Sequence, residues 1–257
     1  IVTGKPLFGI DYKSKDMLIA GLVHAPAFGK TLKDADLASI KEMPGITDAF
    51  ILESTTPDYV KSYFDTSAFT KIVAIVGEKT WSVIKAKRAL KAQWEDIKTH
   101  KEPLNRFGTM TEITVPGGLE STSEHRKQME ALLESELPIL RTDGEPDKAF
   151  ANAAKVLERT YYAPYLAHNT MEPMNFYGHV TKDGVHVAGP LQAPGMISPW
   201  VAERTGFSQD KVRIEVTRMG GGFGRRAYSH YLVEAAAISA QVNRPVKLIY
   251  TREDDMT

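Results

Sequence analysis

The stretch Met219-Gly220-Gly221-Gly222-Phe223-Gly224-Arg225-Arg226 constrains this chain more than any other. Before it, Val212 to Thr217 alternates Val, Ile and Val with Arg, Glu and Thr, the period of a half-buried strand. After it, Ala227 to Gln241 reads as a helix. Glycines at such a junction permit positive φ and let a ligand approach the backbone with no Cβ in the way. The loop amides, and the unpaired amides of the following helix, can then point toward an anion. Arg225 and Arg226 add positive charge. No Gly-Lys-Ser/Thr follows, so this is not a Walker loop. The dinucleotide fingerprint fits poorly. Counted from Gly220, its third glycine falls on Arg225. Counted from Gly222, it falls on Ala227, which is tolerated, but no acidic residue follows at the expected distance. The residues alone leave two readings open: an anion-binding loop, or a tight turn that packs helix on strand.

Composition removes several classes. The chain has 257 residues, with 32 Lys+Arg against 32 Asp+Glu, so its formal net charge is zero. A nucleic-acid binder relying on bulk positive charge is therefore disfavoured. There are no cysteines. The chain can hold no disulfide, no Cys-ligated zinc and no Cys-ligated iron–sulfur cluster, so any cluster must sit on a partner. No run of about 18 apolar residues occurs, and no transmembrane helix is expected. The first residue is Ile and no leader pattern follows, which reads as a piece of a longer polypeptide. The compartment, cytoplasmic or periplasmic, stays open.

The chain divides into three stretches. From Ile1 to about Lys98, strands are expected at Met17–Val23, Ile46–Glu53 and Ile72–Val76. A short helix is expected at Asp34–Lys41 and a longer one at Thr80–Ala92. Residues 99–147 are polar and punctuated by Pro103, Pro116-Gly117-Gly118, Pro138, Gly144 and Pro146, the composition of a connection. One helix interrupts it, announced by the capping box Ser121-Thr122-Ser123-Glu124. In the last stretch, helices are expected at Asp147–Val156 and around Pro199–Arg204. Strands are expected at Leu157–Tyr162, Asn175–Thr181 and Pro245–Thr251. Val185–Val187 should pair back on the second of these across Asp183-Gly184.

Other chemistry is sparse. Seven histidines are scattered, and none forms an H-x-x-x-H pair with a nearby Glu, so a zinc hydrolase is unsupported. No G-x-S-x-G occurs. His168 to Pro173 gathers polar groups soon after Tyr161, Tyr162 and Tyr165. There Glu172 reads either as an acid–base group or as a carboxylate that caps or bridges neighbouring loops. Gln192 follows a turn at Gly189-Pro190 and precedes a helix, where a neutral amide can donate to an oxo or phosphate oxygen.

In order along the chain, Thr3 to Asp11, Val73–Val76 with Ala86–Leu90, Pro164–His168, Met171–Asn175, Gln192, Gly220–Arg226 and Thr251–Met256 resemble one known family. This is the molybdenum-binding large subunit of the xanthine dehydrogenase and aldehyde oxidase family, and within it the isoquinoline 1-oxidoreductase beta subunit type. Relatives nearer to xanthine dehydrogenase carry Gly-Lys where this sequence has Arg225-Arg226. The resemblance implies an α+β fold. Residues 1–98 would form an α/β hammerhead domain, 99–147 a linker with one helix, and 148–257 part of a molybdopterin-binding α/β domain.

It further implies that the parent protein is a molybdopterin-dependent oxidoreductase. Such enzymes hydroxylate an N-heteroaromatic compound or an aldehyde with oxygen from water. Their molybdenum is carried by molybdopterin, often as the cytosine dinucleotide, and electrons leave to a [2Fe–2S] small subunit. Gln192, Gly221, Gly222, Phe223, Gly224 and Arg225 match cofactor-facing positions. No residue here is assigned as a metal ligand or as catalytic, because the family's general-base glutamate lies beyond this chain. This piece alone is therefore expected to be inactive and largely free of cofactor. The competing expectation is a stand-alone nucleotide- or phosphate-binding module, or a structural module without catalysis.

Overall fold

The computed structural model describes residues 3–5, 8–53, 60–63, 71–119, 121–228 and 230–256. Pro6 and Leu7 of the N-terminal motif lie outside them. The chain forms two compact units, one from residues 1–119 with 167–257, the other from residues 120–166.

In the larger unit the chain runs through β1 (Leu18–Val23), β2 (Lys30–Ala35), α1 (Leu37–Lys41), β3 (Ile46–Glu53), β4 (Lys61–Ser62), β5 (Lys71–Gly77) and α2 (Thr80–Ala89). It continues through β6 (Ala92–Asp96), β7 (His100–Arg106) and β8 (Thr109–Val115). The smaller unit supplies α3 (Thr122–Leu133) and α4 (Pro146–Ala151). The chain then re-enters the larger unit as β9 (Asn175–Thr181), β10 (Gly184–Gly189), α5 (Pro194–Thr205), β11 (Val212–Val216), α6 (His230–Val242), β12 (Val246–Ile249) and α7 (Arg252–Met256).

One seven-stranded sheet, in the order β11-β10-β9-β12-β1-β5-β3, organises the larger unit. Strands from the first hundred residues and from the last hundred therefore share it, joined where β12 runs parallel to β1. β5 shows why. Its run Ile72-Val73-Ala74-Ile75-Val76 is fully buried, as expected of a strand covered on both faces. Ile72, Ala74 and Val76 enter the core shared with α5 and α6, while Val73 and Ile75 pack with Val83 and Ala86 of α2. On the first of these faces α6 lies very close to β9. A Cβ on Gly178 would come within 2.6 Å of the Ala235 carbonyl, so only glycine admits the helix at that depth.

Several expectations shift. Asp36 accepts from the Ser39 amide and starts α1, so β2 occupies part of the stretch read as helix. Residues 100–115, read from composition as connection, form the β7–β8 hairpin. Its turn, Phe107-Gly108, has positive φ at both residues, as a tight hairpin turn demands. The β-branched Thr109, Thr111, Ile113 and Val115 alternate along β8 as a strand requires. Leu157–Tyr162, expected as a strand, has no strand partner among the described residues. In the smaller unit neither helix buries a side chain. Ser121 does cap α3, accepting from the Glu124 amide.

Candidate functional site

The loop between β11 and α6 is stretched between two side-chain acceptors. At its start, the Gly220 amide donates to Glu172 Oε2 at 2.7 Å. At its end, the Gly224 amide donates to Gln192 Oε1 at 3.0 Å. Between them, the amides of Gly221, Gly222 and Phe223 make no hydrogen bond to any described residue. Gly221 and Gly224 have φ of +107° and +85°, and Phe223 itself sits at +51°. A bulky residue in that region is strained, and the Phe223 ring recovers little by burial, being 67% exposed.

The tip of Gln192 lies directly over Gly222. A Cβ there would lie 2.6 Å from Gln192 Oε1. Gln192 is itself placed by its backbone, whose amide donates to the Arg226 carbonyl at 3.0 Å. With Oε1 occupied by Gly224, the Nε2 of Gln192 remains as a donor with no partner among the described residues.

Beneath the loop lies a buried polar knot. Arg226 is fully buried. Its Nε donates to the Gly221 carbonyl at 2.8 Å, its Nη2 to the Glu172 carbonyl at 2.6 Å, and Nη2 stands 3.4 Å from Glu172 Oε2. Burial pulls the Arg226 guanidinium down from its ordinary value, and the Glu172 charge opposes that shift. Glu172, 7% exposed, also accepts from the Ile10 amide at 2.9 Å and Asn175 Nδ2 at 3.0 Å, both on Oε1. Of the two readings open for Glu172, this geometry is the bridging carboxylate.

Arg225 points elsewhere. Its guanidinium lies over the Tyr231 ring, 5.9 Å from the centroid, and 3.9 Å from Asp255 Oδ1. Its Nε is buried without an acceptor. Burial raises the Asp255 carboxyl, offset by the Met174 amide and by Arg225. Burial also pushes Tyr231 up to about 12. Asp255 lies in the Thr251–Met256 segment that carries the resemblance, which assigns it no role, and Tyr231 carries no such signal; α7 and α6 bring them beside Arg225. Among the described residues, no group of three or more His, Asp or Glu is placed to hold a metal ion. No helix of the described residues is long and apolar enough to cross a membrane.

Fold and loop together define the class: a mixed α/β domain presenting free main-chain donors at a strand-to-helix junction. Residues 130–257 match the molybdopterin cofactor-binding domain family. The chain belongs to the molybdopterin-binding subunits of the xanthine dehydrogenase and aldehyde oxidase family and corresponds to part of such a subunit. It is 28% identical over 259 residues to the membrane-bound aldehyde dehydrogenase (pyrroloquinoline-quinone) of Gluconacetobacter polyoxogenes, covering 98% of this chain and 30% of that protein. It is 26% identical over 259 residues to isoquinoline 1-oxidoreductase subunit beta of Brevundimonas diminuta, covering 99% and 29%. Among solved structures, quinoline 2-oxidoreductase from Pseudomonas putida 86 superposes with a TM-score of 0.67 at 16% identity, over 99% of this chain and 33% of that one. The chain thus spans 29–30% of the length of the two curated relatives.

Proposed function

We propose that this chain is part of a molybdenum hydroxylase large subunit, and that Gln192, Gly221, Gly222, Phe223, Gly224 and Arg225 form its contribution to the cofactor site. One observation carries the reading. Three consecutive amides, 221 to 223, are left without acceptors among the described residues while the amides on either side are tied down. An anionic, oxygen-rich group fits such a row of donors. The Nε2 of Gln192, which has no partner among the described residues, extends the same donor set, whereas Arg225 contributes charge alone, its guanidinium being turned onto Tyr231 and Asp255.

Molybdopterin carrying molybdenum supplies two-electron redox chemistry with water as the oxygen source. The residues of this chain bind and orient it. The amides 221–223 hold negative charge, Gln192 donates one directed hydrogen bond, and Gly224 fixes which end of that carboxamide faces outward. No residue here is assigned a proton-transfer role, since Glu172 is committed to the loop. The cytosine dinucleotide form of the cofactor belongs to this proposal. So does an N-heteroaromatic or aldehyde substrate. An iron–sulfur partner subunit does too, in keeping with a chain that has no cysteine. The division into a hammerhead region over 1–98, a connection over 99–147 and a partial cofactor region over 148–257 is likewise proposed as the functional one.

The test is metal and pterin content. The polypeptide carrying this segment, purified from a molybdopterin-producing host, should hold molybdenum and pterin in equal amounts, and Gln192→Ala with Gly222→Val should lower both together. Unchanged content in that double variant would refute the reading. Tight binding of a nucleotide to the 257-residue chain by calorimetry would instead favour a nucleotide-binding module.

A further inference from the structure

We propose that Glu172 is a positioning residue through which the segment 8–12 sets the shape of the glycine loop. The functional consequence rests on the cofactor reading above, but the mechanical coupling does not.

The segment is laid along the base of the loop and held at several points. Phe8 forms a parallel bridge with Arg218, directly before the loop. The Ile10 amide donates to Glu172 Oε1, and the other oxygen of the same carboxylate takes the Gly220 amide. The carbonyls of Ile10 and Tyr12 both accept from Lys247 Nζ, the latter at 3.0 Å. The turn of residues 9–11 is closed by the Phe8 amide donating to Asp11 Oδ2 at 3.1 Å.

Gly9 provides the second anchor. A Cβ there would stand 2.4 Å from Pro190 Cδ and 2.8 Å from Asn175 Oδ1. Pro190 lies two residues before Gln192, and Asn175 is itself bonded to Glu172. The segment is therefore seated directly on Glu172, one of the two acceptors that stretch the loop, and on Pro190, two residues before the other. Glu172 Oε1 and Oε2 face opposite ways, one toward the segment and one toward the loop. Both ends need an acceptor. A carboxamide cannot supply two, because its nitrogen would confront a donor on one side.

The experiment is residue-resolved amide hydrogen exchange on the 257-residue chain. In Glu172→Gln, whichever of the Gly220 and Ile10 amides faces the new nitrogen should exchange roughly tenfold faster, the scale of one lost charged hydrogen bond. The other should follow to a smaller extent through the displaced segment. Exchange in β5 should be unchanged. Gly9→Ala leaves Glu172 intact and should accelerate Ile10 and Gly220 together, by displacing the segment from Pro190. Glu172→Asp keeps a charge beside Arg226 but is too short to reach both amides. It should restore the thermal stability lost in Glu172→Gln without restoring Gly220 protection, which a purely structural ion pair would not predict. Gly220 protection unmoved in both Glu172→Gln and Gly9→Ala overturns the proposal, as does acceleration spread uniformly through β5. Molybdenum content of the parent polypeptide separates the two claims. If exchange responds and metal content does not, the coupling stands and the cofactor reading falls. If exchange does not respond, the coupling falls whatever the metal shows.

Discussion

Gly222→Ala is the most informative single change, because the structure says it should do little to the fold and much to one carboxamide. The new Cβ would sit 2.6 Å from Gln192 Oε1 and 2.8 Å from its Cδ. Both atoms belong to the tip of a flexible, exposed side chain, so Gln192 retreats rather than the backbone. A retreat of about 1 Å takes the Gly224–Gln192 hydrogen bond from 3.0 Å beyond hydrogen-bonding range. One such bond is worth about 0.5–1.5 kcal/mol. Gly222 does not occupy the left-handed region, so alanine also removes unfolded-state freedom worth about 0.4–1 kcal/mol. The two effects nearly cancel. Thermal unfolding should shift by no more than about 2–4 °C, while the Gly224 amide loses its protection from exchange. Gly220→Ala is the contrast. Its Cβ would meet Glu172 Cβ at 2.4 Å and the Glu172 amide nitrogen at 3.3 Å. Neither is a flexible tip, so a cost of about 1–3 kcal/mol is expected. If Gly222→Ala proved as damaging as Gly220→Ala, or left Gly224 protected, the idea that Gln192 holds the end of the loop would be wrong.

Three further outcomes follow from the same geometry. Arg226→Met strands Glu172 as a buried charge and should cost about 3 kcal/mol in urea denaturation; a loss under about 1 kcal/mol would mean the pair is not buried as described. Burial lowers Lys247 to about 8, whereas an unfolded lysine keeps its proton to about 10.4. Between those values the unfolded chain binds more protons, so this residue should make stability rise with pH from about 8 to about 10.4, a rise absent in Lys247→Met. Leu140, 96% exposed, should tolerate Asp within about 0.5 kcal/mol in the 257-residue chain, as read from its denaturation midpoint.

Much of the architecture near the loop is legible because its signals are local. The alternation of Val212–Val216 gives β11, and the alanine-rich run after the glycines gives α6. The β9–β10 hairpin is announced by Asp183-Gly184, where Gly184 takes φ +153°. Where the signal is not local, reading fails. The β7–β8 hairpin is hidden by Pro103 and by polar residues on exposed faces, and its partner β4 is only two residues long. Nothing in Val246–Ile249 says that it will pair with Leu18–Ala20, more than two hundred residues earlier. Leu157–Tyr162 has the composition of a strand, but a strand exists only where another offers its hydrogen bonds.

Glu172 makes the same point for the site. A carboxylate beside His168 and several tyrosines can be read as a proton-transfer group, although a brace between loops is the commoner role. Residue type cannot decide, because the answer lies in who occupies the two oxygens. Those partners are 162, 48 and 3 residues away, at Ile10, Gly220 and Asn175, with Arg226 closing the set. Each oxygen of an ionised carboxylate offers about two lone-pair directions; three hydrogen-bond donors take both of those on Oε1 and one on Oε2, and the buried Arg226 guanidinium stands 3.4 Å from Oε2. That occupancy holds the group as a brace. The carboxylate that reads from sequence as an acid–base candidate is therefore committed to holding the first amide of the glycine loop.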